Sequence, residues 1–94
     1  MDSPQNVHDI LRRVGDAYPL EQSRLRESLM GCKNDSERIL LQDRYESILE
    51  LNAETRKLQT QVEAHVILNK KISLSVLKKF LALRQKWRDV GFDY

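Results

Sequence analysis

An all-α fold, drawn out into an elongated bundle, is predicted by three observations. Apolar residues recur at three- and four-residue steps along most of the chain. Gly and Pro are scarce, three and two in 94 residues. Charged residues make up 32% against 40% hydrophobic ones, the balance of helices with solvated outer faces. A chain of 94 residues is one domain with a thin core, so its helices must pack tightly or associate with another chain. The expected architecture is a helical bundle or coiled coil made of a short N-terminal helical pair (1–31), a turn (32–36), a long C-terminal helix (37–90) and a tail (91–94).

The first element is predicted from Ser3-Pro4: a serine oxygen caps free N–H groups, and proline fits the first turn, where its missing donor costs nothing. Val7, Ile10, Leu11, Val14 and Tyr18 then fall on one helical face. An interruption is expected between Gly15 and Pro19, because glycine is a poor interior residue and proline removes a backbone hydrogen bond and disfavours α geometry at Tyr18. Pro19 would then open a second short helix with Leu25, Leu29 and Cys32 on its buried side. Gly31 suits a left-handed C-cap, and Asn34 with Glu37 three residues later suits the start of the next helix.

From that start to Val90 neither Gly nor Pro occurs, and one helix of about 55 residues would run about 80 Å. Its apolar stripe is narrow, as in coiled-coil seams. Leu41, Tyr45, Ile48, Leu51, Leu58, Val62, His65 and Asn69 form the expected self-association seam, continued by Ile72, Val76, Phe80, Leu83 and Trp87. A continuous or gently bent helix is favoured because the heptad phase survives throughout. The alternative is a break at 69–73, with Asn69 as a left-handed cap, Ser73 as a new N-cap and Ile72 stapled to Leu77. That alternative gives three helices, the acidic one antiparallel to the basic one.

Charge is segregated along this region. Asp35 to Glu63 is mainly acidic, with Glu46, Glu50 and Glu54 in a line, whereas Ala64 to Arg88 holds only basic residues. In the basic stretch Ile72, Val76, Phe80, Leu83 and Trp87 share a face, while Lys78, Lys79 and Lys86 lie away from it. These eight residues are the expected partner-binding surface, the competing reading being that the apolar face is core. Nucleic acid is a weaker expectation, since no exposed aromatics interleave with the lysines. A membrane is not an expected partner: no run approaches the length of a span, and the amphipathic pattern is common.

Catalytic chemistry is not expected. His8 and His65 are far apart, Cys32 stands alone, and there is neither a metal-ligand spacing nor a phosphate-binding glycine loop. No cofactor and no metal are predicted. A single cysteine and the lack of a basic-then-apolar N-terminus point to a cytoplasmic or nuclear setting.

The segment "LNAETRKLQTQVEAHVILNKKISLSVLKKFLAL" resembles the C-terminal helical part of bacterial flagellar export chaperones. Leu51-Asn52, Leu68-Asn69, Ile72, Val76, Phe80 and Leu83 carry the similarity, and Ala53 or Lys70 stands where that family commonly has glycine. The resemblance implies an apolar face that grips an amphipathic substrate helix. The functional expectation is a protein–protein interaction module, a coiled-coil assembly or adaptor subunit forming a homo- or hetero-oligomer. An export chaperone is the alternative, and a basic-helix nucleic-acid binder a weaker one.

Overall fold

The computed structural model describes residues 3–94 and is all-helical: α1 spans Pro4–Met30, α2 Asp35–Ile67 and α3 Leu74–Asp89. Residues 1 and 2 of the expected N-terminal segment lie outside the described residues. The helices pack as an up-down-up bundle measuring 52 × 18 × 18 Å, close to the rise of the 33-residue α2 alone. α2 packs along α1 and against α3, whereas α1 and α3 have little direct backbone contact.

α1 is one helix of 27 residues, not the expected pair, and runs unbroken through Gly15 and Pro19. An interior proline costs about 3 kcal/mol, mostly through one lost hydrogen bond and a clash with the carbonyl four residues back. Val14 and Tyr18 before the proline and Leu25 after it are all buried on the same face. Burying each such side chain contributes about 1.5–3 kcal/mol, so keeping them in register outweighs the break. Gly15 is itself buried, with Gln59 and Thr55 side-chain atoms 3.9 and 4.0 Å from where a Cβ would stand.

The α1–α2 connection is placed as expected but closed differently. Gly31 takes φ −90° rather than a left-handed conformation and ends α1 by donating to Glu27 O at 3.1 Å. Asn34 Oδ1 accepts from the backbone N–H groups of Ser36 (2.9 Å) and Glu37 (3.4 Å), capping α2. Ser3 Oγ does the same for α1, accepting from Asn6 N–H at 3.2 Å.

The long helix expected over 37–90 is divided. α2 stops at Ile67 because Asn69 enters the left-handed region at φ 52°, with Lys70 N–H donating to His65 O (2.9 Å) and Asn69 N–H to Val66 O (3.2 Å). This is a Schellman closure with asparagine in the usual glycine place. Ser73 Oγ then accepts from Val76 N–H at 3.3 Å and starts α3. The heptad phase survives the turn because both helices point the same stripe into the same core. A single straight helix would leave Val76, Phe80, Leu83 and Trp87, all buried here, without a partner.

The C-terminal end folds back. Gly91, at φ 102°, closes α3, with Phe92 N–H donating to Trp87 O (2.9 Å) and Gly91 N–H to Arg88 O (3.0 Å). Phe92 thereby meets Tyr18 edge-on, ring centroids 5.1 Å apart. Asn69→Gly should raise stability by up to about 1 kcal/mol and Asn69→Val should lower it by about 1–2 kcal/mol, read from guanidinium unfolding midpoints at constant slope.

Candidate functional site

The expected partner-binding face forms the centre of the chain's own core. Val76, Phe80, Leu83 and Trp87 are buried, Phe80 and Trp87 completely, and Ile72 is half-buried. Phe80 and Trp87 pack edge-on with centroids 6.0 Å apart, and the Arg84 guanidinium lies 5.9 Å over the Phe80 ring. The Trp87 indole N–H finds no acceptor among the described residues, an orphaned donor of a kind that costs about 1–3 kcal/mol. Lys78 and Lys79 are exposed, while Lys86 Nζ approaches Glu54 Oε2 at 3.5 Å.

The expected self-association seam has the same fate. Ile48, Leu51, Leu58 and Val62 are buried and Leu41 and Tyr45 half-buried, all in one cluster with α1 and α3 side chains. His65 is half-buried, its Nδ1 2.8 Å from Gln61 O, and Asn69 is an exposed turn residue rather than a register-setting one. Thr55, on the same helix face between Leu51 and Leu58, is fully buried and donates from Oγ1 to the Tyr18 hydroxyl at 3.2 Å. Burial holds the Tyr18 phenol above its usual pKa, opposed by the Thr55 hydrogen bond and assisted by the Glu54 charge. Of the acidic line, Glu54 alone joins an ion pair among the described residues; Glu46 and Glu50 are exposed.

What remains for recognition is surface that the periodicity did not single out. One open groove of about 360 Å³ runs between α2 and α3, floored by Leu58 and Leu83 and edged by Glu54, Lys57, Lys79 and Lys86. A second cleft of about 480 Å³ lies at the end where α1 begins and α2 ends, beside Ser3, His65, Lys70 and Lys71. Among the described residues no cluster of His, Cys, Asp and Glu side chains could hold a metal, and no helix is long and apolar enough to cross a membrane.

Exposed aliphatic side chains gather in three further places. At the α1–α2 end they are Leu20, Met30, Ile39 and Leu40, the last 70% exposed; along the edge of α3 they are Leu74 and Leu81; where α2 ends they are Ile67 and Leu68. A sequence signal for the first set existed: Ile39 and Leu40 precede the Leu41 seam position, and one helical stripe cannot bury three consecutive residues. Compared with protein-family models, characterised proteins and solved structures, the chain matches none of them.

Because the Phe80 and Trp87 rings sit inside the core, Phe80→Ala or Trp87→Ala should each cost about 3–5 kcal/mol in urea or guanidinium unfolding. A loss below about 1 kcal/mol would mark α3 as a loosely held helix.

Proposed function

We propose that the chain is a protein–protein interaction module, an assembly subunit that pairs with a second copy through its two-helix tip. The observation behind this reading is a mismatch of lengths. α3 ends at Asp89, and the turn that follows it lies at the level of Tyr18 and Arg44: Phe92 meets Tyr18 edge-on, and Arg44 Nη2 stands 3.6 Å from the Cβ position of Gly91. The twelve or so residues of α1 beyond Tyr18, about 18 Å of helix, and the first turns of α2 therefore project as a bare pair.

That projection is held by few buried side chains. Leu25 is buried and Leu29 and Leu41 half-buried, while Leu20, Met30, Ile39 and Leu40 face solvent. Polar clamps steady it: Arg26 Nη2 donates to the Tyr45 hydroxyl at 3.3 Å, and Glu21 holds Arg24 and Arg44 at 3.4 Å each. Two such tips laid side by side make a four-helix arrangement, which covers the flanks that a helix pair leaves open. Both charge signs are present on the tip, in Arg24, Arg26 and Arg38 and in Glu27, Asp35 and Glu37, so self-pairing meets no uniform repulsion.

The export-chaperone alternative requires α3 to leave its seat, since only then is the face Val76, Phe80, Leu83 open to a substrate helix. The sparse backbone contact between α3 and α1 favours it. A nucleic-acid role has less behind it, because Lys86, one of the outer cations, is already directed to Glu54.

Cys32, the only cysteine, lies at the tip and takes a polarity-sensitive dye there. With rising concentration the dye emission should shift to the blue while light scattering reports a dimer. Leu40→Lys should abolish both changes and leave the melting temperature within a few degrees. A strict monomer with an unchanging dye spectrum contradicts the assembly reading.

A further inference from the structure

We infer that the open edge of α3 on its α1 side is a docking strip for an acidic amphipathic helix of a partner protein. The α2 side of α3 is fixed by the groove that Lys79, Leu83 and Lys86 share with Glu54 and Leu58. Laid at 100° per residue, Leu74, Leu77 and Leu81 fall on the opposite side, toward α1. α1 does not close over them: Leu74 is 67% and Leu81 53% exposed, with Leu77 half-buried between them. On α1, Ile10 and Ala17 are half-buried seven residues apart, across the helix from Gly15, which faces Thr55 and Gln59 of α2. The result is an apolar strip along the edge of α3, about two turns long from Leu74 to Leu81.

Lys78 stands on the α3 bank, with Lys70 and Lys71 at the mouth where α3 begins, and Arg13 stands on the α1 bank, where Asp9 and Asp16 lie about one turn to either side of it. All four are exposed, and none joins an ion pair among the described residues. Ala64 to Arg88 contains no acidic residue at all. Arg84 and Arg88, further along the edge, are engaged by the C-terminal turn, through Tyr94 O at 2.8 Å and Asp93 Oδ1 at 3.9 Å. The unused cations thus lie beside the unused leucines.

An apolar strip edged by free cations is complementary to a helix with leucines on one face and carboxylates beside them. The in-chain precedent is α2, whose Leu58 and Glu54 meet Leu83 and Lys86 on the other side of the same helix. A fourth helix laid on the strip would repeat that pairing.

This inference rests on the reading of the chain as an interaction module, yet it concerns a surface remote from the tip, so the two are tested separately. The probe is a fluorescein-labelled synthetic helix with leucines at three- and four-residue steps flanked by glutamates, titrated with the full chain and followed by anisotropy. Saturable binding is expected, weakened at least tenfold by Leu81→Gln and by the pair Arg13→Glu and Lys78→Glu, with the tip dimer unchanged. Arg13 and Lys78 are exposed and unpaired, so those variants keep the fold and remain informative should Leu81→Gln unfold the chain. The inference is overturned if a lysine-for-glutamate version of the peptide binds as well, or if Arg13→Glu with Lys78→Glu leaves binding intact. It is equally overturned if vesicles containing phosphatidylserine bind the chain in a Leu81-dependent way while the peptide does not. Loss of the tip dimer in Leu40→Lys with peptide binding retained would leave the strip standing on its own.

Discussion

The third helix is too short for the hairpin it packs on. α3 has 16 residues against 33 in α2 and 27 in α1, so only one half of the hairpin receives a third helix. In that half the core is continuous, from Val7, Leu11, Val14 and Tyr18 on α1 through Leu51, Leu58 and Val62 on α2 to Phe80, Leu83 and Trp87 on α3. In the other half the same two helices run on with little but each other to pack against. Both surfaces assigned to recognition follow from this one constraint: the tip is where α3 is missing, and the strip is the side of α3 that α1 does not reach.

The end of α3 is fixed by interactions between distant parts of the chain. The Tyr18 ring receives Phe92 on its edge and the Thr55 hydroxyl at its oxygen, joining all three helical segments at one level. The Gly91 turn supplies the reversal that brings Phe92 there. The orphaned Trp87 N–H lies close by in sequence, so the best-packed part of the molecule also carries an unpaid polar cost. Apolar burial there outweighs it, since a large aromatic contributes more on burial than one unpaired N–H removes.

How much of this was legible in the sequence depends on which force decided each element. Helicity, the apolar stripe and the caps at Ser3 and Asn34 are local, and they read directly from residue spacing. The continuity of α1 through Pro19 is not local: the proline penalty is visible in the sequence, while the burial of Leu25 that overrides it appears only once α2 is in place. The break at Asn69 was written in the residues, in Asn69, Ser73 and the Ile72–Leu77 staple, but an unbroken heptad phase suggested the opposite. Phase alone cannot separate a helix that continues from one that turns back onto the same core. For the same reason the stripe from Leu41 to Trp87 read as a surface for other chains, although it packs within this one. The strip at Leu74 and Leu81 was hidden because its exposure depends on the distance between α1 and α3, which no spacing encodes.

The fold-back of α3 underlies the core and both exposed surfaces, and the chain carries the two labels needed to measure it, one tryptophan at 87 and one cysteine at 32. In the folded-back structure Trp87 lies near the level of Tyr18, so that Cys32 is about 20–25 Å away along the hairpin. Energy transfer from Trp87 to an acceptor on Cys32, with the labelled chain diluted into excess Trp87→Phe protein to suppress transfer between copies, should therefore be strong. A single helix from 37 to 90 would hold the two sites about 80 Å apart. Negligible transfer in the native state would contradict the account.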